Sequence, residues 1–108
     1  MPKQGTLVLV PFPFTDLSAA KVRPALVISA KPLGADAILA FISSRQKEGV
    51  YSVKIPPSAK NGLKTPSAVI CSKIATLEKT VILGELGILE EKFMKQVKSA
   101  LAIIFNCS

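Results

Sequence analysis

The sequence predicts an α+β domain: several short antiparallel strands, strongly bent into a small barrel and closed by one C-terminal helix. Three observations carry that expectation. Short β-rich runs recur along the chain and are punctuated by proline and glycine. The apolar spacing switches to a helical period only after Glu90. With 108 residues, 49% of them hydrophobic, the chain is sized for one domain, residues 1–108, with a real core.

The elements follow in order. Thr6–Phe12 (TLVLVPF) reads as the first strand, bounded by Gly5 and by the Pro11/Pro13 pair that marks its exit from the sheet. Pro24–Ala30 (PALVISA) is a near-continuous apolar strand, and Ala37–Ser44 (AILAFISS) is a third, reached through the turn residues Gly34 and Asp36. Tyr51–Ile55 alternates and reads as half exposed. The loop Pro56–Pro66 carries Asn61-Gly62 as its turn signal. Ser67–Leu77 and Thr80–Leu86 complete the strands. From Glu90 onward, Phe93, Met94, Val97, Leu101, Ile104 and Phe105 recur at helical spacing, with Glu90 and Glu91 placed to suit the helix dipole.

Composition narrows the chemistry. Fourteen basic side chains face seven acidic ones, a net charge of +7 that favours a polyanionic partner such as nucleic acid or an acidic protein. Histidine is absent. With it go the commonest general acid–base residue, the histidine-containing zinc sites and the Ser-His and Cys-His nucleophile pairs. The carboxylates are scattered, so no magnesium site is expected, and neither metal nor cofactor is called for. Cys71 and Cys107 suggest no disulfide framework. No apolar run approaches the roughly 20 residues of a membrane span. The opening MPKQGT lacks a secretory pattern, so a cytoplasmic location is expected.

One stretch stands out. FPFTDLSAAKVRPALVIS places a nine-residue excursion, Thr15–Arg23, between the first two strands, long for a hairpin. Thr15, Asp16, Ser18, Lys21 and Arg23 can all hydrogen-bond a phosphodiester. Pro24 restricts Arg23 to extended geometry, giving its guanidinium a stiff base from which to hold two phosphate oxygens in a fork. An ordinary surface loop with Arg23 paired to Asp16 explains the same residues. A second polar cluster, Ser43, Ser44, Arg45 and Gln46, ends the third strand. If the second and third strands are neighbours, Arg23 and Ser43 face one pocket. Lys73 interrupts the apolar segment AVICSKIATL, and either snorkels or points into the same groove.

In order along the chain, GTLVLVPFPFTDLSAAKVRPALVIS, AFISS and NGLKTPSAVICSKIATLEKTVILGEL resemble the blocks of the MazF/PemK (Kid-like) toxins. These are the mRNA interferases of type II toxin–antitoxin modules. The resemblance spans nearly the whole chain. It implies an SH3-like, CcdB/MazF-like barrel with a C-terminal helix, a homodimer, a cognate antitoxin and metal-independent cleavage of single-stranded RNA through its 2′-hydroxyl. By position it implies catalytic roles for Arg23 and Ser43 and sets Lys73 where some relatives carry another polar residue; the neighbouring polar residues Thr15, Asp16, Lys21, Ser44, Arg45 and Gln46 are expected in support or in RNA binding. The later strand departs from the PemK/Kid branch, holding Ile70 and Ser72 where that branch has Arg and Asp. Two other readings share the residues: a non-catalytic toxin of the same barrel that acts by protein contact, as the gyrase-poisoning relatives do, and an RNA-binding barrel without chemistry.

Overall fold

The computed structural model describes residues 2–12, 21–45, 49 and 51–107. Six strands and one helix follow one another: β1 (Thr6–Phe12), β2 (Lys21–Val27), β3 (Asp36–Ser43), β4 (Ser52–Ile55), β5 (Ser67–Glu78), β6 (Gly84–Ile88) and α1 (Glu91–Ile104). The strands form one curled antiparallel sheet in the order β4-β5-β3-β2-β1-β6, leaving β4 and β6 as its edges. The predicted bent sheet with a C-terminal helix is what the chain builds.

Both faces of the sheet carry a core. On one side Leu7, Leu26, Ile42, Val53, Ile55 and Val69 pack with Met94, Val97 and Ala100 of α1. On the other, Val8, Val10, Ala25, Val27, Ala37 and Leu39 gather with Phe41, Leu77 and Ile82. Burial on both faces explains why the strands read as continuous apolar runs rather than clean alternations. Ala25, Leu26 and Val27 are all buried for this reason.

Three expectations need correction. The second strand starts at Lys21 rather than Pro24, because β1 pairs with it through Phe12↔Lys21. Arg23 therefore lies inside a strand, opposite Val10, and is not the last residue of the loop. Proline is tolerated at position 24 because the ladder to β3 begins only at Ala25. The segment after Glu78 first makes a single 3-10 turn, Lys79–Val81, and becomes a strand only at Gly84. On the helix, Phe105 is 55% exposed, and Ala100 supplies the third buried position instead. The chain leaves helical geometry there, with Asn106 in the left-handed region at φ 54.

The Asn61-Gly62 turn does more than reverse the chain. Asn61 is fully buried. Its Oδ1 accepts the backbone N–H groups of Ser58 and Leu63, at 3.1 and 2.9 Å. Its Nδ2 donates to the Pro56 carbonyl and to Glu90 Oε1, at 3.0 and 3.1 Å. Ser58 Oγ donates to the other Glu90 oxygen at 2.7 Å. Glu90 stands at the N-cap position of α1, so this network ties the loop to the start of the helix.

Desolvation alone would raise the Glu90 carboxyl. The hydrogen bonds from Ser58, the Glu90 backbone and Asn61, with the nearby Lys60 charge, outweigh it and hold the group below the usual carboxylate range. The folded protein thus holds this proton more weakly than the unfolded chain, whose value lies near ~4.3. The contribution is complete above that value and is lost as pH falls through the lower folded one. Urea midpoints measured between pH 3 and 7 are expected to drop on the acid side, with a shallower drop in Glu90→Gln.

Candidate nucleic-acid interface

The ladders align the site. Ser43 pairs with Ala68 of β5, and Ala68 pairs with Lys54 of β4. On the other side β2 and β3 run antiparallel with Ala25 opposite Phe41. Extended two residues past its last pair, Ala25↔Phe41, that register would set Arg23 level with Ser43. Paired residues share a face of the sheet. Arg23 pairs with Val10, which belongs to the core on the face away from α1. On that face Ser43, Ala68 and Lys54 form a transverse row, and Arg23 lies toward its β2 end.

Lys21 lies two residues before Arg23 on the same face, about 7 Å away at strand rise. Both are exposed. Among the described residues the Arg23 side chain makes no hydrogen bond or ion pair. Ser43 is half buried, and its hydroxyl oxygen accepts the Arg45 N–H at 3.1 Å. The same hydroxyl donates to the Arg45 carbonyl at 3.4 Å, a long contact that competes weakly with an incoming phosphate. Ser43 thereby closes the turn that carries the exposed Ser44 and Arg45 past the strand end. Asp36 and Glu78 pair with each other at the opposite end of β3, roughly 23 Å from Ser43 at strand rise. Lysines lie at that end as well, where Lys3, Lys31 and Lys79 line a pocket with Asp36.

Lys73 does not join the row. The register of β3 on β5 slips between Ala40↔Ile74 and Phe41↔Ile70, leaving Cys71, Ser72 and Lys73 without β3 partners. Lys73 is exposed on this bulge, five residues along β5 from Ala68. The charge that looked anomalous in an apolar strand is accommodated because the strand breaks its ladder there. Cys71, on the same bulge, is buried, and burial pushes its thiol up, so it stays protonated. Both cysteines are free. Thr15, Asp16 and Gln46 lie outside the described residues, as does Phe14.

Sequence reasoning missed Lys54. Its signal was present in YSVKI, where it stands exposed between the buried Val53 and Ile55. Only the β4–β5 register shows that it shares a row with Ser43. Among the described residues no three His, Cys, Asp or Glu side chains gather to hold a metal ion.

Comparison with protein families now has a geometry to meet. The model of the PemK-like, MazF-like toxins of type II toxin–antitoxin systems matches residues 3–105. The chain belongs to this family. Comparison with curated proteins found no match. Solved structures of similar shape share the fold at low identity. A MazE–MazF complex from Deinococcus radiodurans superposes with a TM-score of 0.81 at 20% identity, over 99% of this chain and 98% of that one. An endoribonuclease in complex with its cognate antitoxin from Mycobacterial species gives 0.80 at 22%, over 100% and 98%. The Mycobacterium tuberculosis toxin MazF-mt6 gives 0.76 at 21%, over 95% and 98%. In this PemK/MazF-like chain the Arg-Pro element sits within β2, and the Ser-Ser element closes β3 beside it. No helix is long and apolar enough to cross a membrane among the described residues.

Proposed function

We propose that the protein is a sequence-specific, metal-independent endoribonuclease that cleaves single-stranded mRNA as the toxin of a toxin–antitoxin pair. The observation that carries the reading is the exposed Arg23 on β2, next to the strand that ends in Ser43, on a sheet end that also presents Lys21 and Arg45. Membership of the toxin family supports it.

In this mechanism the RNA 2′-oxygen attacks the adjacent phosphorus as its proton departs. The new P–O2′ bond forms as the P–O5′ bond breaks, leaving a 2′,3′-cyclic phosphate and a 5′-hydroxyl that gains a proton. Arg23 holds the non-bridging oxygens, whose charge grows in the transition state, and Ser43 donates to the same group. A guanidinium stays protonated under ordinary conditions, so its part is electrostatic rather than proton-shuttling. Asp16 is the nearest carboxylate in sequence to orient Arg23 or accept the 2′-proton. Lys21, Ser44, Arg45, Thr15 and Gln46 would contact flanking nucleotides, and Lys73 would add charge from its bulge.

An acidic antitoxin segment would occupy the same basic end, consistent with the antitoxin-bound state of the similar mycobacterial endoribonuclease. The active form would be a homodimer in the cytoplasm. The test is incubation with single-stranded RNA in EDTA, which is expected to yield discrete fragments with cyclic-phosphate ends. A single 2′-deoxy substitution at the cut site is expected to abolish that cut. RNA binding without products would favour a non-catalytic barrel, and cleavage of the 2′-deoxy strand would refute the 2′-hydroxyl mechanism.

A further inference from the structure

We infer that the cavity at the far end of β3 from Ser43 is a phosphate-binding site, built by Lys3, Lys31 and Lys79 with the Ser29 hydroxyl. It shares no residue with the Arg23 end, so it stands or falls apart from the reading of that end as an RNA site.

The cavity has a volume of about 190 Å³. Three separate stretches of chain bring lysines to it: the turn before β1, the β2–β3 connection and the 3-10 turn after β5. Hydrogen bonds fix each stretch. The Lys3 carbonyl accepts the Thr6 N–H at 3.0 Å, and the Gly5 N–H donates to the Val27 carbonyl at 2.9 Å. Lys31 belongs to the connection that the Leu33–Asp36 bridge closes. The Lys79 N–H donates to the Ala35 carbonyl at 2.8 Å, and its Nζ donates to the Gly34 carbonyl, also at 2.8 Å. That ammonium is thereby held over the β2–β3 connection with two of its three donors unspent. Ser29 Oγ accepts the Ile38 N–H at 3.1 Å, which leaves the hydroxyl proton to donate.

The charge in the cavity is unbalanced. Asp36 is the one acidic side chain that lines it, so three ammonium groups share the space with one carboxylate. Among the described residues none of the three lysines forms an ion pair, and Lys3 and Lys31 make no side-chain hydrogen bond. Like charges gathered without a counter-charge repel one another, and a bound anion offsets that repulsion. The volume lies below the roughly 300–1,000 Å³ of pockets for drug-sized ligands, which suits a phosphate group with its waters rather than a whole nucleotide. Phosphate also presents several acceptor oxygens to the lysine and serine donors. The group arrives either as the free ion or as the terminal phosphate of an oligonucleotide.

The experiment follows backbone amide shifts of the full chain by NMR as inorganic phosphate replaces chloride at constant ionic strength. The amides of Ser29, Lys31, Asp36 and Lys79 are expected to move and to saturate. Lys31→Ala removes an exposed side chain and should weaken binding about fivefold, the upper end for one exposed ionic contact. Asp36→Asn removes the opposing charge and should tighten binding about two- to fivefold. Lys98→Ala, on α1 and outside the cavity, should leave the affinity unchanged. A 2′-O-methyl oligonucleotide bearing a 5′-phosphate, set against its 5′-hydroxyl twin, separates the two sources. Tighter binding of the phosphorylated strand that is lost in Lys31→Ala identifies an RNA end as the ligand, and equal binding of both strands identifies the free ion. Shifts that grow linearly with phosphate, an unchanged affinity in Lys31→Ala, an equal loss in Lys98→Ala, or weaker binding in Asp36→Asn would overturn the inference. If the parent protein never cuts RNA, the endoribonuclease reading fails while the phosphate titration still decides this one.

Discussion

Arg23→Ala is expected to cut the rate of RNA cleavage by about 10²–10³-fold, the usual cost of deleting one preorganised donor from a developing oxyanion. The fold should survive the change. Arg23 is exposed, its side chain has no partner among the described residues, and its backbone pairing with Val10 does not depend on the side chain. Far-UV circular dichroism and the urea midpoint should therefore match the parent, while single-turnover kinetics show the loss. Arg23→Lys should recover little, because an ammonium keeps the charge but not the planar fork that grips two oxygens. Cleavage that persisted in Arg23→Ala would remove this residue from the mechanism.

Asn61→Ala is expected to produce the largest loss of stability, about 2–4 kcal/mol, from a fully buried side chain with four hydrogen bonds. Alanine would leave the Leu63 N–H and the Pro56 carbonyl to find water they cannot easily reach, and would deprive Glu90 of one of its two side-chain donors. The loss corresponds to a Tm lower by roughly 10–20 °C. A urea titration should show a lower midpoint with an unchanged slope. A neighbouring position gives a matched control of cause. Gly62 has φ 75, and a Cβ there would overlap the Leu86 backbone carbonyl, so Gly62→Ala should also destabilise, by sterics rather than lost hydrogen bonds. A midpoint for Asn61→Ala within about 0.5 kcal/mol of the parent would show that the loop and helix are held together by apolar packing alone.

These two residues mark different kinds of legibility. Arg23 was visible in the sequence because proline beside an arginine, at the edge of an apolar run, has a local meaning. Asn61 was visible only as a turn former. Its buried role depends on Glu90, which lies 29 positions away, and no local pattern announces that partner.

The sequence by itself determined the run of short strands, the C-terminal helix from Glu91, the basic character and the exclusion of histidine chemistry. Each is a property of composition or of near-neighbour spacing, where the side-chain period and the turn residues act within a few positions. Only the tertiary structure decided where β2 begins, that Lys73 rides on a bulge, and that Lys54 falls in line with Ser43. These are matters of register. A slip of one residue along a strand turns every side chain to the other face, and the choice is made by pairing across the sheet between residues far apart in the chain.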